Sequence, residues 1–442
     1  MKKKLLNIAV CLIVLASAEV RAQDTCRVAL MVPLYLEQVD QAFYDAEPEN
    51  QMLKSKPFSF LHFYEGFMIA ADSIVNSHGM SLEVKVYDVD NNVNKADTAI
   101  ADPWLTTANL IVGPFYLKPF NVVKQFAWEN DIPIVNPITQ RSDIVDYQYN
   151  VIKAKPSMFG QIAVLDSLIS KKYHNNNIFI IRENDDCDMS IIEGIYDMAL
   201  ARVDSCSYVA NKHIVDVIKK HHRRLKYLKV EYEANAYKTD HKSLDINELK
   251  SYIEDSTAFE NHVLSVNYQQ DSLYRVEDYI STMRNNLFIV YGDNKIFANE
   301  IVNKVTKLVE NYPITVIMLP SWSKFDKLFN DNLMKMKAIY FEDNYIDYQN
   351  IRVESFICKF RNRYEAEPSV SAFQGFDIGW YFLNALYIFD EFMLENLPEF
   401  DIPLLSTKFS FKQTSEKSGL ENTYWNVYQF KGYNKVVIDY AK

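Results

Sequence analysis

Runs of β-branched and aliphatic residues ending in turn residues mark the first strands of the chain: Arg27–Pro33, Leu82–Asp88, Leu110–Gly113 and Ile132–Asn136. Helical periodicity fills the spaces between them. Phe60, Phe63, Tyr64, Phe67, Met68, Ala71, Ile74 and Val75 recur at intervals of three and four, which predicts a helix over Phe58–His78 with Gly79 as its stop. A second helix is expected over Phe120–Asn130. Strand and helix alternating in this order is the pattern of a doubly wound, mostly parallel sheet.

The same alternation starts afresh after Lys155-Pro156. Helices are expected over Met158–Lys172, about Met189–Val203 and Lys295–Glu310, and strands at Asn177–Arg182, Asn286–Tyr291 and Ile314–Leu319. Between Tyr208 and Ser265 the pattern blurs into a strand or two, a helix near Ile246–Glu254 and exposed loops around the basic run Lys219–Arg224. From Met336–Phe341 onward the chain is expected to return to the first lobe, with helices at Asn350–Tyr364 and Phe373–Asn396 and strands at Thr407–Gln413 and Tyr424–Phe430. The expected fold is therefore α/β, with two doubly wound, mostly parallel-sheet lobes joined by hinge crossings. Lobe one comprises 23–155 plus about 336–442, and lobe two 156–335.

The N-terminus adds a destination. Lys2, Lys3 and Lys4 precede an apolar run, Leu5–Ala16, too short to span a bilayer, and small residues allow cleavage after Ala18 or Ala22. Residues 1–22 are read as a signal peptide, the second cut being preferred. The mature chain is then periplasmic and not membrane-spanning. Its formal charge of −11 falls further when the basic leader is removed, which argues against nucleic acid as a partner. Cys187 and Cys206 could pair in an oxidising compartment, or stay as buried thiols.

Four stretches then carry a resemblance: Val28–Tyr35; Phe63-Tyr64-Glu65-Gly66-Phe67; Ile111-Val112-Gly113-Pro114 with Ile132–Pro137; and Phe373-Gln374-Gly375-Phe376-Asp377. In this order and spacing the chain resembles the type I periplasmic-binding-protein fold of branched-chain amino acid binding proteins and receptor ligand-binding regions. The resemblance is to a Bacteroidota envelope branch, some members of which carry LysM repeats; none is visible here. It implies a ligand held in a cleft between lobes, at loops beyond the carboxyl ends of the strands. Those loops supply Tyr35, Phe115, Tyr116, Asn136 and Thr139 in lobe one, and Arg182, Glu183, Asp293, Ser321 and Trp322 in lobe two. The resemblance also implies hydroxyl anchors for an amino acid after Gly113-Pro114 and after Asn136. Here Tyr116-Leu117 and Asn136-Pro137-Ile138-Thr139 stand there, and only Thr139 keeps that role. A peptide or muropeptide fragment thus becomes as plausible a ligand as an amino acid.

Several of these residues also have plain structural readings. Gly113-Pro114 ends a strand tightly, Asp293 is placed to cap a helix, and Asp377 can reach a backbone group. No GxSxG elbow, Walker loop or HExxH pattern is present, and ten scattered glycines assemble no GxGxxG. No enzyme activity, cofactor or metal is expected. The leading expectation is a non-catalytic periplasmic solute-binding protein. The alternative is a cell-envelope scaffold or regulator of peptidoglycan synthesis, presenting the same fold and the basic run to an envelope protein.

Overall fold

The computed structural model describes residues 25–39, 58–174, 176–184, 189–202, 263–271, 273, 276, 279–282, 285–292, 294–319, 330–431, 434–438 and 440. The leader, Lys219–Arg224, Cys187, Cys206, Asp293, Ser321 and Trp322 lie outside the described residues. The chain divides into two compact units. It leaves unit one after Ser157, returns at Asp343 and leaves again at Trp425.

Unit one begins with β1 (Cys26–Val32), helix α1 (Leu61–His78), β2 (Leu82–Asp88), α2 (Val93–Ile100), β3 (Leu110–Val112), α3 (Leu117–Glu129), β4 (Ile134–Asn136) and β5 (Val151–Lys153). Unit two takes α4 (Met158–Leu168), β6 (Asn177–Arg182), β7 (Val263–Asn267), β8 (Asn286–Tyr291), α5 (Lys295–Leu308), β9 (Ile314–Leu319) and β10 (Ile339–Glu342). Unit one then receives α6 (Ile351–Tyr364), α7 (Val370–Phe389), β11 (Phe411–Gln413) and β12 (Leu420–Asn422), and unit two closes with β13 (Asn426–Lys431) and β14 (Asn434–Val437).

The sheet of unit one runs β11-β12-β5-β4-β3-β1-β2, and that of unit two β14-β13-β10-β9-β8-β6-β7. Five neighbouring pairs in the first sheet are parallel and only β11–β12 is antiparallel. The doubly wound, mostly parallel α/β fold is thus present in both units. The central strands are buried on both faces, as parallel strands covered by helices must be, so they read as continuous apolar runs rather than alternating ones.

Two expectations about the return are corrected. The strand near Met336–Phe341 does not belong to lobe one, because β10 lies parallel to β9 in the second sheet. Nor does the strand near Tyr424–Phe430, because β13 runs antiparallel to β10. Apolar residues mark a strand but not the sheet it joins, and here the register Tyr340↔Tyr428 packs two tyrosine rings at 5.6 Å in the core of unit two.

The motif glycines explain the packing of unit one. A Cβ on Gly66 of α1 would lie 1.9 Å from the Ala372 carbonyl oxygen, and one on Gly375 of α7 would lie 2.0 Å from that of Phe63. The two helices therefore touch backbone to backbone, which no larger residue allows. Gly113 adopts φ 93° and a Cβ there would come 2.2 Å from the Met31 carbonyl oxygen, so this glycine is required where β3 ends beside β1. Asp377 on α7 is fully buried and accepts from the Leu405 and Ser406 amides at 2.6 and 2.8 Å and from the Ser406 hydroxyl at 2.6 Å. Burial pushes its carboxyl up to about 6 despite these bonds.

A buried ion pair ties strands that lie far apart in sequence. Lys153 and Glu421, both essentially inaccessible, meet at 3.2 Å, in register across the parallel pair β5–β12. The same Glu421 oxygen accepts from the Ser157 amide at 3.2 Å and from its hydroxyl. The cluster sits in unit one beside two of the points where the chain changes units.

Candidate functional site

In unit one the chain winds from β1 to β2 in one direction and from β3 to β5 in the other. The strand order therefore reverses between β1 and β3. Beyond the carboxyl ends of such a pair the flanking loops diverge and leave a crevice. Tyr35 follows β1 and Tyr116 follows β3, and here they meet: the Tyr35 hydroxyl donates to the Tyr116 hydroxyl at 3.1 Å. Tyr35 is held in place by its own backbone. With φ 52° it turns the amides of Leu34, Tyr35 and Leu36 onto the Asp88 carboxylate, each at 2.9 Å. Lys95 completes the clamp, 3.3 Å from Asp88 and 3.1 Å from Asp90. Burial and the Tyr116 contact hold the Tyr35 phenol well above the usual tyrosine range.

Phe115 and Asn136 are both held by the surrounding core and backbone, and of the two only Phe115 also lines the adjoining hollow. Phe115 is 1% exposed, edge-on to Phe63 at 4.8 Å and to Phe60 at 5.0 Å. Asn136 is fully buried and its amide is engaged at both ends. Its nitrogen donates to the carbonyls of Pro114 and Phe115 at 3.2 and 3.4 Å, and its oxygen accepts from Ile138 and Thr139 at 3.1 and 2.9 Å. Asn136 thus sets the spacing of the two loops beside the hollow, because both must converge on one side chain.

A concavity in unit one opens beside these loops. It has a volume of about 670 Å³ and is bounded by Tyr116, Lys118 and Lys124 on one side and Ile138, Thr139 and Arg141 on the other. That is within the range of small-molecule pockets. Tyr116 and Thr139 are thus brought together, while Tyr35 reaches the hollow only through its bond to Tyr116. The Thr139 hydroxyl accepts from the Arg141 amide at 3.3 Å. Arg141 forks onto Asp143, with Nε 3.0 Å from Oδ1, and this pairing holds the Asp143 carboxyl below the usual range. Lys124 is half-buried; burial lowers its ammonium against the opposing charges of Asp143 and Asp146, and among the described residues it donates to the Ile144 carbonyl at 3.5 Å.

Among the lining side chains that the sequence reading missed are Lys118, Asn121 and Lys124. Their spacing of three places them on one helical face. Starting the helix at Phe120 left Lys118 in a loop, whereas α3 begins at Leu117, with Tyr116 as a cap residue that gives no side-chain bond.

In unit two, Arg182 and Glu183 stand at the carboxyl end of β6. Arg182 Nη1 donates to the Ser265 hydroxyl of β7 at 3.0 Å, and the backbone of Glu183 bridges Tyr291 and Gln269. The cap expected of Asp293 comes from Asn294, whose side chain accepts from the Ile296 amide at 2.8 Å. Among the described residues no group of acids, cysteines and histidines is arranged to hold a metal ion.

No family model and no curated protein matches the sequence. Solved structures do match the fold. A putative branched-chain amino acid ABC transporter protein from Rhodospirillum rubrum aligns over 94% of this chain and 100% of its own at 10% identity, with a TM-score of 0.61. An ABC transporter substrate-binding protein from Desulfitobacterium hafniense aligns over 94% and 100% at 13% identity, with a TM-score of 0.52. A branched-chain amino acid ABC transporter periplasmic ligand-binding protein from Burkholderia xenovorans covers 94% and 95% at 9% identity, with a TM-score of 0.51. The chain therefore has the type I periplasmic-binding-protein fold. At these identities it is the architecture that is shared, and the residues at the hollow have to be read on their own chemistry.

Proposed function

We propose that this chain is an exported, non-catalytic solute-binding protein, and that unit one captures a small molecule or peptide fragment in the hollow beyond β3 and β4. The observation that carries this reading is the coincidence of a 670 Å³ concavity with the carboxyl-end loops of a doubly wound sheet. The fold supports it, because solved structures that share the architecture include ligand-binding proteins. Binding by such a site needs no reacting group, only a bound state of lower free energy. The leader at 1–22 supports a periplasmic location.

A thermal-shift series over amino acids, short peptides and muropeptides tests the reading. A ligand at about 100 times its Kd adds roughly 2.7 kcal/mol of stability to the native state. One class should raise the melting temperature, and replacing both Tyr116 and Thr139 with Ala should abolish the rise. A rise that survives both substitutions places the ligand elsewhere.

A second reading rests on the Tyr35–Tyr116 bond, which bridges the crevice at the strand reversal. A fold whose switch point is spanned by its own side chains suits an envelope scaffold or regulator of peptidoglycan synthesis. Silence across every ligand class, together with retention of an envelope protein on the purified chain, would favour it.

A further inference from the structure

The walls of the hollow carry a chemical asymmetry that bears on ligand class. Cations line it on the α3 side. Lys118 is exposed, and Lys124 is half-buried with, among the described residues, one long bond to a carbonyl. Asp143 is the sole carboxylate among the described lining residues, and both of its oxygens are engaged by the Arg141 guanidinium. The charges of Asp143 and Asp146 act on Lys124, but among the described residues no carboxylate stands within ion-pair distance of it, so an entering anion finds an ammonium open to a direct partner. An entering ammonium finds no carboxylate to receive it. Between these poles the surface is apolar, from Leu117, Ile138, Ile144 and the ring of Tyr116.

Resting on the solute-binding reading above, we propose that the hollow selects a carboxylate attached to an apolar body whose amine is absent or acylated, rather than a zwitterionic amino acid. Lys124 supplies the principal charge contact. A half-buried ammonium loses solvation that only an anion can replace, so the contact is stronger than at an open surface. Lys118, at the mouth, adds a weaker and salt-sensitive attraction. A zwitterion would satisfy Lys124 with its carboxylate but strand its own ammonium against apolar wall, which costs affinity.

Calorimetry on the full chain with three probes of matched shape decides the matter: N-acetyl-phenylalanine, its neutral amide, and phenylalanine. The acetylated acid should bind at least about tenfold more tightly than either of the others, since a charge-assisted bond contributes about that much or more. Lys124→Gln should bring the acid to within about twofold of the amide. Lys118→Gln, at an exposed position, should weaken the acid by a smaller factor that shrinks as salt is raised. If Lys124→Gln fails to fold, as judged by its melt without ligand, the Lys118→Gln salt series keeps the inference testable.

An amide that binds as tightly as the acid, or phenylalanine binding more tightly than both, overturns the anion selectivity while leaving the hollow a binding site. No heat from any of the three probes also overturns it. If the broad thermal-shift panel is silent as well, the solute-binding reading falls with it.

Discussion

Replacing Gly375 with Ala tests the account of how unit one holds together. The new methyl carbon would sit 2.0 Å from the Phe63 carbonyl oxygen and 2.8 Å from its carbon. An ordinary C···O contact is about 3.4 Å, so α7 and α1 must separate by more than about 1 Å. No rotamer change relieves this, because the obstructing atoms are backbone. A gap of about 0.5–1 Å already forfeits a quarter to a half of each dispersion contact. The interface that opens is the core of the unit, with Phe63, Phe67 and Ile74 facing Ile378, Phe382 and Leu386. Overpacking of this kind costs about 1–3 kcal/mol or more, while Ala gains up to about 1 kcal/mol over Gly in helix propensity. At the upper end of that range the net loss is about 2 kcal/mol, which should lower the melting temperature by roughly 4–8 °C for a unit of this size. Gly66→Ala meets the same obstacle one turn away, 1.9 Å from the Ala372 carbonyl oxygen. Because one separation accommodates both methyls, the double variant should cost clearly less than the sum of the singles. Gly194→Ala serves as the contrast: nothing lies within 4 Å of its Cβ, so it should stabilise by about 0.5–1 kcal/mol. A Gly375→Ala protein that melts within about a degree of the parent would refute the backbone-contact argument.

Three further perturbations address the polar parts of unit one. Lys153→Met should cost about 3–5 kcal/mol by leaving Glu421 buried without its cation, and adding Glu421→Leu should recover most of the loss; equal costs for the single and the double variant in urea melts would contradict this. Burial pushes the Glu65 carboxyl up from 4.5 to about 7, and its Oε2 lies 3.9 Å from His62 with no hydrogen-bond partner among the described residues. The folded chain then holds a proton that the unfolded chain releases, so Glu65 contributes stability below about pH 4.5 that is lost as pH rises to about 7. His62, lowered by burial, acts in the opposite sense, and the parent-minus-Glu65→Gln difference in stability isolates the carboxyl; a difference that stays flat from pH 4.5 to 7.5 would count against the assignment. Asp88→Ala removes the acceptor of three amides around Tyr35 and should cost about 2 kcal/mol or more, with faster amide exchange at Leu34, Tyr35 and Leu36 as the local readout; unchanged exchange would mean that the loop holds itself.

Much of the fold was legible because long periodic segments carry their own signal. The strands Leu82–Asp88, Asn177–Arg182, Asn286–Tyr291 and Ile314–Leu319 fall where the apolar runs place them, and α1 follows its three-and-four spacing to the Gly79 stop. What stayed hidden has a common cause. β5 and β12 are three residues each, too short for any period to register. Lys153 and Glu421 are 268 residues apart, and each alone looks like an ordinary surface charge. The sheet that receives β10 and β13 is chosen by pairing partners, which a local pattern does not encode. At the hollow, Tyr116 and Thr139 stand where their place after strands puts them. Asn136 sits at the same kind of position and turned out to be occupied by the backbone around it.

That contrast sharpens what a loop position can imply. Tyr35, Phe115, Tyr116, Asn136 and Thr139 all lie at or just beyond strand ends of one sheet, at the end where such folds bind ligands. Position alone treats them as equals. Burial and bonding separate them: Asn136 spaces the loops, Phe115 anchors one of them in the core, and Asp88 fixes Tyr35 so that its hydroxyl meets Tyr116. Tyr116 and Thr139 line the hollow together with Phe115, and α3 brings Lys118 and Lys124 to the same rim. The rigid residues thus determine where the hollow lies, while the charges proposed to set its preference are ones that no strand-end rule would select. A change of ligand class in this fold could accordingly proceed by substitution along one face of α3, with the loop-bracing residues left untouched.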